Sequence, residues 1–228
     1  MSIALIVGVG DGLSASLARK LSARGYNLVL AARNVDKLQD LAASTNAATV
    51  PCDASDPQSV ASLFASIDPR AEDLAVAIYN PSARVRGPLV NLDPADVRRA
   101  LDVTAFGAFL VAQQAARRML PKQAGTILFT GASAGVKGFP NSAPFAMGKF
   151  AMRGLAQSMA RELHPQGIHI GHVVIDGAIR NPGRTEPADR PDSMLDPDAI
   201  AETYMALIDQ HRSAWSWEVE IRPFVESF

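Results

Sequence analysis

The chain has one cysteine, Cys52, only three tyrosines and two tryptophans in 228 residues, and no long apolar run. One thiol cannot build an intrachain disulfide framework, and such scarcity fits a reducing compartment. No charge of either sign predominates. With 22 Lys and Arg against 23 Asp and Glu the net charge is −1, so neither nucleic acid nor an anionic membrane is implied as a partner. No apolar run reaches the ~20 residues that span a bilayer. Ile3–Val7 is too short for a secretory signal and lacks a basic leader, so a soluble cytoplasmic protein is expected. Histidine is also sparse. His164 and His211 fall at a helix end and in a polar turn, and His169 and His172 face opposite sides of one strand, so no metal site is expected.

What is present begins at the first residues. Ile3–Val7 is an apolar strand-like run that stops at Gly8-Val9-Gly10-Asp11-Gly12, after which Leu13, Leu17 and Leu21 recur at helical spacing up to Gly25. This predicts strand, tight turn and amphipathic helix. Glycines let the backbone approach a ligand closely, and the free amides and dipole of the following helix suit a diphosphate. The spacing Gly8, Gly10, Gly12 and then Ser14 departs from G-x-G-x-x-G. Taken alone it fits an ordinary turn, a dinucleotide site, or the first loop of an S-adenosylmethionine-dependent methyltransferase.

Further strand-like runs fall at 28–32, 48–50, 74–79, 126–130, 168–175 and 215–221, mostly separated by helix-length segments. Asp56-Pro57, Asp93-Pro94 and Asp196-Pro197 each mark a helix start, an acceptor side chain followed by a residue suited to the first helical position. Gly25 and Gly167 mark helix ends. The alternation predicts a doubly wound, Rossmann-type α/β fold over a single 1–228 domain: about seven mostly parallel strands with helices on both faces, a three-layer αβα sandwich. The irregular stretch 176–195, rich in Pro, Gly, Arg and Asp, follows a strand end, where open α/β sheets bind ligands, and is read as a probable substrate loop.

In order and separation these landmarks resemble the short-chain dehydrogenase/reductase family over nearly the whole chain. The family's glycine loop corresponds to Val7-Gly8-Val9-Gly10-Asp11-Gly12-Leu13-Ser14, its adenine-contacting aspartate to Asp53, and its N-N-A-G to Tyr79-Asn80-Pro81-Ser82. Its serine-bearing strand corresponds to 125–133, its Y-x-x-x-K to Phe145-Ala146-Met147-Gly148-Lys149, and its N-P-G to Ile175-Asp176-Gly177. The resemblance implies a nicotinamide cofactor held by Gly8, Gly10, Gly12 and Leu13 at the diphosphate, Asp53 and Ala54 at adenine, and Asn80 and Lys149 at ribose, with Ile179 counted among the contacts. It also implies a homodimer or homotetramer built on two helices. Stripes on those helices, Gly107, Ala108, Ala112, Ala115 and Ala116 on one and Met152, Leu155, Met159 and Leu163 on the other, fit either such an interface or core.

Arg33 follows Ala31-Ala32 where an NAD-type or methyltransferase site would carry an acid on the ribose. An arginine there donates in a fork to a 2′-phosphate, so NADP(H) is expected over NAD(H). The reacting centre departs from the family. Phe145 occupies the place of the proton-donating tyrosine, Ala132 that of the catalytic serine, with Ser133 beside it, and Thr104 that of the asparagine; Lys149 alone is kept. No other tyrosine (Tyr26, Tyr79, Tyr204) has a lysine four residues on. Lys149, Ser133 and Thr104 are therefore the catalytic candidates. The expected activity is NADP(H)-dependent carbonyl or alcohol chemistry with a degenerate centre, or, alternatively, a catalytically weak NADP(H)-binding sensor.

Overall fold

The structure, a computed structural model, describes residues 2–67 and 73–226. Seven strands form one parallel sheet: β1 (Ile3–Val7), β2 (Asn27–Ala32), β3 (Ala48–Pro51), β4 (Leu74–Tyr79), β5 (Gly125–Thr130), β6 (Ile168–Ile175) and, at the far edge, β9 (Glu218–Ile221). Their order is β3-β2-β1-β4-β5-β6-β9. The chain runs outward from β1 through β2 to β3, then returns to lay β4 on the other side of β1. That reversal opens a crevice at the carboxyl ends of β1 and β4, the place where such sheets take ligands.

Helices α1 (Leu13–Ala23), α2 (Gln39–Thr45) and α7 (Pro197–Ile208) cover one face, and α3 (Pro57–Ile67), α5 (Gly107–Met119) and α6 (Ala143–Leu163) the other. Alternate residues of β1 divide between the two cores: Ala4 and Ile6 pack with Leu17 and Leu21 of α1, while Ile3, Leu5 and Val7 pack with Phe64 of α3 and Val111 of α5. The period-two pattern of a strand covered on both faces explains why the run is apolar throughout. The three Asp-Pro signals cap as expected. Asp56 accepts from the amides of Gln58 and Ser59, Asp93 from Ala95, and Asp196 from Asp198 and Ala199. None of the helices, over the described residues, is long and apolar enough to cross a membrane.

Two sequence readings change, and one left open is decided. The helix stripes that fitted either an interface or core lie against the sheet: Ala108, Ala112, Ala115, Ala116, Met152 and Leu163 are core, with Leu155 and Met159 packed against it. The last strand is shorter than 215–221, because Trp215 leaves the ladder to stack on His169, ring centres 4.8 Å apart. The stretch 176–195 is not wholly irregular. It holds two short strands, β7 (Ala178–Ile179) and β8 (Met194–Leu195), paired in parallel, and Arg180 meets Asp196 at 2.5 Å.

The glycine turn is fixed by two constraints. Gly8 has φ +82°, and a Cβ there would stand 2.6 Å from the ring of Pro81. Left-handed backbone is unfavourable for a residue with a side chain, and the rigid ring of Pro81, just after β4, would have to move aside. Gly8→Ala is expected to lower unfolding free energy by roughly 2–4 kcal/mol, read as a lowered urea midpoint with unchanged slope. A loss below ~1 kcal/mol would mean that Pro81 yields and the turn is not rigid.

Candidate active site

The crevice is built from the carboxyl ends of four strands. At the end of β1 the chain passes through Gly8 to Gly12 into α1. Asn80, at the end of β4, ties this turn down: its side-chain amide donates to Ser14 Oγ at 2.6 Å and to Gly8 O at 3.3 Å, and the Ser14 hydroxyl also donates to Gly8 O. Ser14, which replaces the family's last glycine, thus becomes a fastener. Gly12 caps α1 with no side-chain acceptor, and α1 has no acid in its first turn. A Cβ placed on Gly10 would meet nothing within 4 Å. The turn therefore presents backbone amides to open space, which suits an anionic diphosphate.

Two cavities adjoin this turn. The first, about 520 Å³, is lined by Gly8, Gly10, Gly12, Leu13, Asn80, Ala132, Phe145, Lys149 and Ile179, among others. The second, about 590 Å³, is lined by Arg33, Asn34, Lys37, Cys52, Asp53 and Ala54, and shares Gly8 and Asn80 with the first. Every residue expected to touch the cofactor lies on one of the two. Asp53 accepts from the amide and hydroxyl of Ser55, and these bonds, helped by Arg33, hold its carboxyl below the usual range. Asp53 is the one carboxylate on the wall of the second cavity among the described residues, while Arg33 and Lys37 make that wall cationic. Lys37 was missed in the sequence because it lies in a short turn of helix with no periodic signal.

The far end of the first cavity is formed by β5 and α6. Phe145 and Lys149, four apart, share the inner face of α6, and both are buried. Lys149 Nζ donates to Thr130 O, the last residue of β5, at 2.6 Å. Burial, and then the nearby Arg84 cation, bring its pKa down to about 7. The Phe145 ring carries no proton to give.

Two of the three catalytic candidates do not join it. Ser133 is not on the cavity wall; Ala132 is, and the backbone turns away immediately after it. Thr104 sits in a π-helical turn between α4 (Pro94–Leu101) and α5, and is buried. Its hydroxyl accepts from the Ala83 amide at 3.1 Å, and its side chain fills the space that a Cβ on Gly148 would need. Thr104 therefore braces the post-β4 loop against α6 and lies on neither cavity wall. The tyrosines are structural too. Tyr79 is buried and donates to the Val103 carbonyl, Tyr204 is buried with its hydroxyl 2.8 Å from that of Thr130, and burial raises both pKa values.

Arg84 and Arg184 also line the first cavity, and neither was picked out in the sequence. Arg84 comes from the loop after β4 and lays its guanidinium over the Phe145 ring, 4.2 Å from ring centre. Arg184 comes from the 176–195 segment, in which Asn181, Pro182 and Gly183 lie over the start of α1. Among the described residues no group of His, Cys, Asp and Glu has the arrangement of a metal site.

Residues 2–186 match the short chain dehydrogenase family. An uncharacterized oxidoreductase of Staphylococcus aureus (strain N315) is 26% identical over 97% of this chain and 96% of its own length. The crystal structure of a short-chain dehydrogenase from Rhodopseudomonas palustris is 33% identical, with TM-score 0.85 over 98% of this chain and 99% of that one. A metagenomic short-chain oxidoreductase solved in complex with NADP is 24% identical, with TM-score 0.86 over 98% of both chains. The strand order, the glycine turn and the lysine on α6 agree with that match, and the chain belongs to the short chain dehydrogenase family of oxidoreductases.

Proposed function

We propose that the chain is an NADP(H)-dependent oxidoreductase acting on a carbonyl or alcohol without a catalytic tyrosine. The observation that carries this is the buried Lys149 amine opening onto the same cavity as the bare amides of the glycine turn. In this reading Gly8, Gly10, Gly12 and Leu13 hold the diphosphate, Arg33 and Lys37 the 2′-phosphate, Asp53 and Ala54 the adenine, Asn80 and Lys149 the nicotinamide ribose, and Ile179 the adjoining wall. A relative of the same fold was solved with NADP. When bound, NADPH supplies the hydride. Lys149, with a pKa near 7, is the group able to give a proton to the developing alkoxide at neutral pH. Its bond to Thr130 O fixes the direction of the amine. Its burial limits the access of bulk water to it.

Arg33 decides the cofactor in this reading. In a fluorescence titration the protein is expected to bind NADPH at least ~10-fold tighter than NADH, and Arg33→Ala to erase most of that difference, a charged hydrogen bond being worth roughly 1.5–3 kcal/mol. Equal affinities in the unmodified protein would remove the NADP(H) assignment.

The missing phenol favours a second reading, an NADP(H)-binding protein whose turnover is incidental. A panel of ketones assayed with NADPH separates the two. We also read the chain as a homodimer or homotetramer, because Phe106 and Phe109 stack at 6.3 Å on the outer side of the α4–α5 turn and α5, and Phe150 and Met147 of α6 are exposed with them. Sedimentation velocity gives the number of copies.

A further inference from the structure

The cations at the reacting end of the first cavity lack counter-charges. Arg84 lies over Phe145 at 4.2 Å, and Arg184 enters the same cavity from the 176–195 segment. Neither forms an ion pair with a carboxylate of the described residues, whereas Arg153, Arg180 and Arg222 each do. Among the described residues the one acid on that wall, Asp11, belongs to the glycine turn. The pKa of Arg84 is lowered, first by burial and then by Arg86 and Arg184, so three guanidinium groups crowd one region. All three are exposed; like charges gathered this closely repel, and an anion between them relieves the repulsion.

The cofactor's own phosphates have other partners on this surface: the glycine turn for the diphosphate, Arg33 and Lys37 for the 2′-phosphate. Arg84 stands instead against the side chain that replaces the family's proton donor, where the substrate carbonyl is handled. Arginine keeps its proton at any working pH, so its use there is recognition: a planar fork matching two oxygens of an oxyanion.

We infer that the protein acts on a carbonyl compound bearing an anionic group, carboxylate or phosphate, gripped by Arg84 with Arg184 closing over it. This rests on the oxidoreductase reading, since it places the anion on the substrate. Three probes of one shape test it by calorimetry on protein saturated with NADP⁺: benzoate, phenyl phosphate and benzamide. At least one anion is expected to bind 10-fold or more tighter than the neutral amide, and the better anion names the source. Arg84→Gln should weaken that anion by about 10–100-fold, to the level of benzamide, and change NADPH affinity less than 3-fold. Arg84→Lys should keep part of the preference, because the charge remains without the fork.

Benzamide binding as tightly as both anions overturns the inference. So does an Arg84→Gln protein that loses NADPH affinity while keeping its preference among the probes, since the guanidinium then belongs to the cofactor. A protein that binds no NADPH defeats the oxidoreductase reading separately. The same probes on the free protein, compared with Arg84→Gln, then decide the anion site by themselves.

Discussion

Phe145→Tyr is expected to raise the rate of NADPH-dependent carbonyl reduction by roughly 10²–10⁴-fold, the usual range for a placed general acid, while leaving NADPH affinity unchanged. The scaffold for a phenol is already there. Residue 145 is buried on the inner face of α6, Lys149 lies on the same face with its amine 5.9 Å from the ring centre, and the Arg84 guanidinium lies over the ring at 4.2 Å. Both cations favour the phenolate and so lower the phenol's pKa towards the working range. The measurement is kcat and KM for a ketone panel with both proteins, alongside an NADPH titration. An unmodified protein that is active and gains nothing from the tyrosine would show that Lys149 already serves as donor. A variant that turns over where the natural chain does not would support the sensor reading.

The second large effect concerns stability. Lys149→Met is expected to stabilise the fold at pH 6.5 by on the order of 2–3 kcal/mol and to abolish turnover. The lysine is fully buried, and its pKa falls from 10.5 unfolded to about 7 folded. The unfolded chain therefore holds the extra proton between these values, and stability rises with pH across that window, by on the order of 5 kcal/mol in all. Below pH ~7 both states carry the proton and the full burial penalty stands. Methionine removes the penalty but gives up the bond to Thr130 O, which offsets part of the gain. Urea unfolding of both proteins at pH 6.5 and 9.5 tests this. The natural chain should gain stability towards pH 9.5 relative to the variant. Parallel profiles would mean that the amine keeps its ordinary pKa inside the fold and is not dry.

Much of this was legible in the sequence, and the reasons differ from element to element. The strand runs were visible because a parallel strand covered on both faces has no polar position to interrupt it. The helix starts were visible because Asp-Pro carries its own capping chemistry. Residues lining the two cavities could be picked out because many of them lie at strand ends, whose order follows the chain. The reacting end was less legible. Arg84, Arg184 and Lys37 sit in turns with no period, and only the tertiary arrangement brings them to the cavities. Thr104 and Ser133 are chemically able residues whose hydroxyl directions depend on a π-helical turn and a sharp exit from β5, neither of which the sequence announces. Strands β7 and β8, two residues each, are too short for alternation to register. The helix stripes could not be divided between core and interface, since small residues and methionine suit both.

The placement of the two indoles has a practical consequence for anyone following this protein by light. Trp215 stacks on His169 and meets His164, and Trp217 lies under Arg153 beside β9. Both report the docking of a single sheet edge. An emission change on heating or in denaturant therefore dates the departure of that edge, and agreement with far-ultraviolet dichroism is needed before the signal is taken as global unfolding.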